Sequence, residues 1–182
     1  MDIFLVRHGE AAASWGQCSD PGLSELGAEQ AEQTAKVLLG QVCANTLLLS
    51  SPLARARETA APLAQDLDRP VQIDDVFCEI PAPVALAQRQ AWLRQFMQQH
   101  WRQQPAGLLE WRAAALQRLV ALRQPAVVFT HFLVINAIVG QVQDRSETLC
   151  FRPGNGSITR LRHTGTSLEL LALGEEMETV VN

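Results

Sequence analysis

The sequence contains no apolar run of the roughly 20 residues that a membrane-crossing helix needs, because polar residues punctuate its longest apolar stretches. No membrane partner is therefore expected. Its start, Met1-Asp2-Ile3, leads straight into apolar residues, without the basic opening, long apolar segment or small-residue cleavage site of a secretory leader. That predicts a cytoplasmic protein. Close cysteine pairs are missing: Cys18, Cys43, Cys78 and Cys150 lack the spacing of zinc or redox motifs, so free thiols and no metal site are expected. A surplus of positive charge is absent too, since the formal net charge is −4, and nucleic acid is excluded as an expected partner. Lysine is almost absent. Lys36 is the only one among the basic residues, a skew that genomic base composition explains at least as well as phosphate binding does. Both nucleotide fingerprints are missing, because Gly9 opens no G-x-G-x-x-G run and no G-x-x-x-x-G-K-[ST] occurs. Dinucleotide oxidoreductases and P-loop enzymes drop out, and no cofactor is implied.

What is present suffices for a core. With 182 residues and 47% hydrophobic content, the chain suits one domain over 1–182 without disulfides or metals. Ile3 to Val6 is a continuous apolar run that ends at Arg7-His8-Gly9-Glu10, as a buried parallel strand does on reaching the sheet edge. After Asp20-Pro21-Gly22, Ser24 is placed to cap a helix over about Glu25 to Leu39, with Leu26, Ala31, Ala35 and Leu38 inward and Gly40 ending it. Thr46 to Leu49 is a second apolar run, followed by Ser50-Ser51-Pro52 and a helical stretch carrying Arg55, Arg57 and Glu58 that Pro62 should kink or end. Val71 to Ile73 reads as a short strand, and Asp74-Asp75 leads to Glu79 in a proline-punctuated loop. Val84 to Leu122 has a helical pattern in two parts, broken at Gln104-Pro105-Ala106-Gly107. Ala126 to Phe129 is a fourth apolar run, passing through Thr130-His131 into a helix that Gly140 should end. Ser157–Leu161 and Ser167–Leu173 around His163-Thr164-Gly165 read as a hairpin. This alternation predicts an α/β fold: a three-layer sandwich with a mostly parallel central sheet, an antiparallel edge and helices on both faces.

In open sheets of this kind, ligands sit beyond the carboxyl ends of the strands, and here separate strands deliver His8, Arg55, Glu79 and His131 to that edge. A phosphoryl group in transfer spreads charge over its oxygens, so one nucleophile must be surrounded by several fixed donors. Arg7, Arg55 and His131 are the expected phosphate-binding donors, with His8 as nucleophile. Repulsion from Arg7 should keep the His8 ring neutral near pH 7, and the other ring nitrogen should be held by a backbone carbonyl at the strand exit, where Gly9 permits a close approach. Glu79 is the best-placed proton donor to the leaving group, with Asp74 and Asp75 as alternatives.

Leu5-Val6-Arg7-His8-Gly9-Glu10 resembles the nucleophile motif of the histidine phosphatase superfamily, whose fold is that of the phosphoglycerate mutases. Leu23-Ser24-Glu25-Leu26-Gly27 through Gln30-Ala31 resembles the capped helix that follows it, and Ser51-Pro52-Leu53-Ala54-Arg55-Ala56 through Thr59-Ala60 the block with the second arginine. Val128-Phe129-Thr130-His131 is similar to the strand bearing the second histidine, and Asn155-Gly156-Ser157-Ile158-Thr159 to the opening of a late strand. The resemblance implies a phosphatase of the small single-domain branch that hydrolyses a small phosphorylated substrate through phosphohistidine at His8, without cofactor. It also implies a helical substrate lid over about 80–122. The loop Ala11-Ala12-Ala13-Ser14-Trp15 lacks the asparagine usual in mutases, and the chain is short for one, so hydrolysis is expected over phosphoglycerate isomerisation.

Ser14 and Trp15, close to the nucleophile motif, are candidate substrate contacts. Arg89, Arg94 and Arg102 fall in the lid region, where solvated helix faces explain them equally well. His100 and His163 read as polar surface groups, and Arg57 with Glu58 as an ordinary surface pair. A phosphohistidine phosphatase acting on a protein is the alternative enzyme, and a phosphate-binding pseudoenzyme the alternative without turnover.

Overall fold

The computed structural model describes residues 1–13 and 18–177. Its sheet has strands β1 (Asp2–Arg7), β2 (Leu47–Ser50), β3 (Gln72–Ile73), β4 (Ala126–Thr130), β5 (Ile158–His163) and β6 (Leu168–Ala172). Their spatial order is β3-β2-β4-β1-β5-β6. The first four positions in that order are parallel, and β5 and β6 close the edge antiparallel. Helices α1 (Glu25–Leu39), α2 (Ala54–Leu67), α3 (Arg89–Phe96), α4 (Ala106–Val120) and α5 (Phe132–Val142) complete the described part.

Side chains alternate across a strand, and β1 shows what this does to the layers. Ile3 and Leu5 point to one face, where they pack with Ala115 and Leu119 of α4 and Val134 and Ile138 of α5. Phe4 and Val6 point to the other, against Ala35 and Leu38 of α1 and Ala60 and Leu63 of α2. Because β1 and β4 are buried on both faces, their sequences are continuous apolar runs. The result is the expected three-layer α/β sandwich. A third cluster joins Ile80, Leu93, Phe96, Trp101 and Leu108 to Phe132 and Leu133 of α5. It seats the segment around α3 over the carboxyl edge of the sheet.

Ser24 caps α1, its hydroxyl accepting from the Gly27 amide at 3.0 Å. Leu26, expected inward, is 49% exposed. The buried stripe runs Gly27, Ala31, Thr34, Ala35 and Leu38, and Leu26, one residue off its start, is rotated out of it. Pro62 does not end α2, which continues to Leu67. The carbonyl left without a donor belongs to Glu58, an exposed residue, while Ala60 and Leu63 hold the flanking turns in the core. Gly140 lies inside α5 and not at its end; a Cβ there would come 3.0 Å from Cys150 Sγ, so the residue is small for packing. The break between α3 and α4 is wider than expected, and includes a short 3-10 turn over Trp101–Gln103. His163 is no surface group. It is buried, with Nε2 on the Val120 carbonyl at 2.8 Å and Nδ1 accepting from the Gly165 amide at 3.0 Å, pinning the β5–β6 hairpin to the end of α4.

Candidate active site

Strands β1 and β4 are parallel neighbours with Arg7 opposite Thr130, so the residues that follow them leave the sheet side by side. These are His8 and His131, and their ring centroids are 5.2 Å apart. Strand β2 flanks β4, with Ser50 opposite Phe129, and its exit carries Ser51 and then the start of α2 with Arg55. Register alone thus brings three distant chain segments to one spot.

His8 is buried, with its backbone amide on the Thr130 carbonyl at 3.0 Å. Its Nδ1 lies 2.6 Å from the Gly9 carbonyl. A carbonyl only accepts, so Nδ1 carries the proton and Nε2 presents its lone pair, where Arg55 Nε donates at 3.2 Å. The ring is neutral: its pKa is pushed down to about 3, by burial first, then by the charges of Arg55 and Arg7. Arg7, expected from sequence as the cause, ranks below both. The turn at Gly9 is tight, since a Cβ there would sit 2.4 Å from the Gly27 carbonyl oxygen, and Thr59 Oγ1 accepts the Gly9 amide at 3.0 Å while donating to the Arg55 carbonyl.

His131 is fully buried and paired through Nε2 with Ser51 Oγ at 2.7 Å. The Leu53 amide donates to the same hydroxyl at 3.3 Å. Nδ1 has no partner among the described residues. Burial and the charges of His8, Arg55, Arg89 and Arg7 hold this ring's pKa well below its ordinary value. Arg7 donates from Nη1 to the Pro153 carbonyl at 2.8 Å and lies over the Phe132 ring, while its buried Nε has no partner among the described residues. Burial lowers its pKa to about 10, so it stays cationic at neutral pH.

Glu79 is buried, with Oε1 accepting the Ile80 amide at 2.9 Å. Burial raises its pKa, against the pull of that amide and of Arg55 and Arg89. It lines a cavity of about 270 Å³ together with Arg55, Leu53, Ile80, Leu86 and Arg89. The alternative acids stand elsewhere: Asp74 pairs with Arg118 at 2.7 Å and accepts the Val76 amide, and Asp75 is exposed. Ser14 and Trp15 lie outside the described residues, although Cys18 and Ser19, a few residues on, line the cavity. Glu58 does not pair with Arg57; its carboxylate accepts the Leu23 amide at 2.6 Å. Sequence reasoning gave no role to Ser51 or Thr59, which orient His131 and Gly9, nor to Asp20, whose Oδ1 accepts the Ala54 amide at 2.8 Å and stands 3.9 Å from Arg55 Nη1. A hydroxyl at the exit of the strand beside β4 was the available signal.

Two neutral buried histidines flanked by arginines thus stand at the carboxyl edge of a parallel sheet, the edge at which open α/β sheets bind their ligands. The chain belongs to the histidine phosphatase superfamily (branch 1), whose family model matches residues 3–176. No protein of curated function matches it in sequence. Its fold is similar to phosphoserine phosphatase from Entamoeba histolytica, solved with 3-phosphoglyceric acid, at a TM-score of 0.76 and 21% identity over 97% of this chain and 98% of that one. It is also similar to mycobacterial glucosyl-3-phosphoglycerate phosphatase, at 0.75 and 22% over 97% and 99%. At these identities the likeness is one of fold.

Proposed function

We propose that the protein hydrolyses a small phosphomonoester through a phosphohistidine on His8. The observation that carries this reading is the His8 tautomer: with Nδ1–H held by the Gly9 carbonyl, Nε2 offers its lone pair toward Arg55, a residue that lines the cavity. In the first step Nε2 bonds to phosphorus as the ester P–O bond breaks, and Glu79, whose pKa burial raises, donates a proton to the leaving oxygen. In the second, the Glu79 carboxylate takes a proton from water, whose oxygen displaces the histidine and releases inorganic phosphate. Arg7, Arg55 and His131 meet the charge on the phosphoryl oxygens, so the reading calls on no metal ion. The phosphatases similar in fold support hydrolysis over isomerisation. The small cavity supports a metabolite over a protein substrate.

Rapid-quench labelling tests the intermediate. Mixing with an aryl phosphate should give an acid-labile, base-stable label that maps to His8, and Glu79→Gln should accumulate it, because an aryl leaving group needs little protonation whereas breakdown still needs a base. Turnover with no label at His8 would indicate direct attack by water. Label on a cysteine or carboxylate would reject the mechanism outright.

A further inference from the structure

We propose that Met177 is an oxidation site, and that converting its thioether to the sulfoxide draws Arg7 toward the C-terminal segment and weakens phosphate binding. The inference rests on the phosphate-binding role given to Arg7 in the reading above. A short ladder sets this segment beside the site. Gly174 is buried and its amide donates to Thr159 Oγ1 at 3.1 Å, after which the chain runs antiparallel to residues 152–154. The Gly154 amide donates to the Glu175 carbonyl at 2.6 Å, Pro153 stands opposite Glu176, and the Met177 amide donates to the Arg152 carbonyl at 2.9 Å. The Glu176 carboxylate accepts the Arg152 amide at 3.1 Å. Met177 Sδ is thereby placed 3.3 Å from Arg7 Nη1, the same nitrogen that donates to the Pro153 carbonyl.

Nη1 carries two hydrogens, so the carbonyl takes one and the other faces the sulfur. A thioether is a weak acceptor and leaves the charge of Arg7 available to an oxyanion. Hydrogen peroxide changes that acceptor. Its O–O bond breaks, one oxygen bonds to Sδ and the other leaves as water, the sulfur losing the two electrons that the peroxide gains. The methionine side chain is unbranched and flexible, so the new oxygen can take the sulfur's place opposite Nη1. A hydrogen bond from a guanidinium is charge-assisted and about twice as strong as a neutral one, so Nη1 is then held by two oxygens on the side of the C-terminal segment. That hold competes with the phosphoryl oxygens for the same cation. Access favours this methionine over the other two in the sequence. Met1 and Met97 are partly buried and pack against apolar clusters, whereas Met177 is 38% exposed.

The test treats the whole protein with hydrogen peroxide, then with dithiothreitol to return reversibly oxidised cysteines, and maps methionine oxidation by peptide mass spectrometry. Calorimetry with inorganic phosphate reads affinity, and phenyl phosphate reads turnover. Oxidation at Met177 should raise both the Kd for phosphate and the KM for the ester by roughly tenfold, the low end for one hydrogen bond to a charged group. The two methionine sulfoxide reductases, one for each sulfoxide epimer, should return both values to their start. Met177→Leu should keep after peroxide the Kd and KM it had before, and Met97→Leu should respond as wild type does. A Met177 that stays reduced while Met97 is oxidised, an oxidised wild type with unchanged phosphate affinity, or a loss that persists in Met177→Leu overturns the inference. A wild type that binds phosphate in this oxidation-sensitive way yet hydrolyses no ester overturns the phosphatase reading alone, and one without affinity for phosphate overturns both.

Discussion

Glu79 shows how a single residue sets activity against stability. In the unfolded chain its carboxyl loses its proton near the ordinary value of 4.5, whereas burial in the fold makes it keep the proton to higher pH. Above 4.5 the unfolded state therefore binds fewer protons than the folded one, and stability falls as pH rises through the raised value. Glu79→Gln keeps the shape and the acceptor for the Ile80 amide but cannot ionise. We expect the variant to match wild type near pH 4.5 and to become the more stable of the two as pH rises, while losing turnover of esters with poor leaving groups. Urea denaturation at pH 5 and pH 8 checks this, and parallel pH dependence in the two proteins would show that the carboxyl titrates as it does in solvent. At this scale the sequence was legible in placement, where a rare side chain stands at or just after a strand exit, as at His8, Arg55 and His131. Ser51 and Thr59 were not, because a hydroxyl acquires a role only from the atom opposite it, and that depends on the β2–β4 register and on how α2 meets the β1 exit.

Between elements, the β1 exit and α1 approach closely at Gly9 and Gly27. A Cβ on Gly27 would lie 2.1 Å from the Glu10 carbonyl oxygen, a backbone atom that cannot swing aside as a side chain would. Helix propensity alone would make Gly27→Ala stabilising by about 1 kcal/mol. The clash reverses the sign, and we expect a net loss of about 2 kcal/mol, within the range for overpacked sites. Since Gly9 stands on the other side of the same contact, phosphate-ester turnover should fall as well. Equal stability of the variant in urea would mean that the helix start has room to shift. The elements themselves were legible for ordinary reasons: buried parallel strands are unbroken apolar runs, and Ser24 and Gly40 bracket α1. Leu26 was misread, and Pro62 does not end α2, for a shared reason. A pattern of apolar residues and prolines does not state which side of a helix faces solvent, and packing of α1 on α2 decides it.

At the scale of the molecule, the segment over about 80–122 is the part least like a layer of the sandwich, yet Ile80, Leu93, Phe96 and Trp101 pack on Phe132 and Leu133 of α5. We propose that this segment and the sheet unfold as one unit. Trp92, Trp101 and Trp111 all lie in the segment and the sequence has no tyrosine, so tryptophan fluorescence is weighted toward it and far-UV circular dichroism toward the whole. Coincident transitions in urea are expected, and a separate early fluorescence change would show that the segment opens independently. The three-layer arrangement was readable from strand and helix alternation; the third cluster was not, because its partners are distant in sequence and α3 alone gives only a short, Gln- and Arg-rich pattern. The pair of buried imidazoles has one more consequence. Both rings refuse protons inside the fold and accept them near the ordinary value of 6.5 once the chain opens, so every fall in pH below that value favours the open chain. The arrangement that keeps His8 uncharged thus also works against the folded state in acid, from the centre of its cleft.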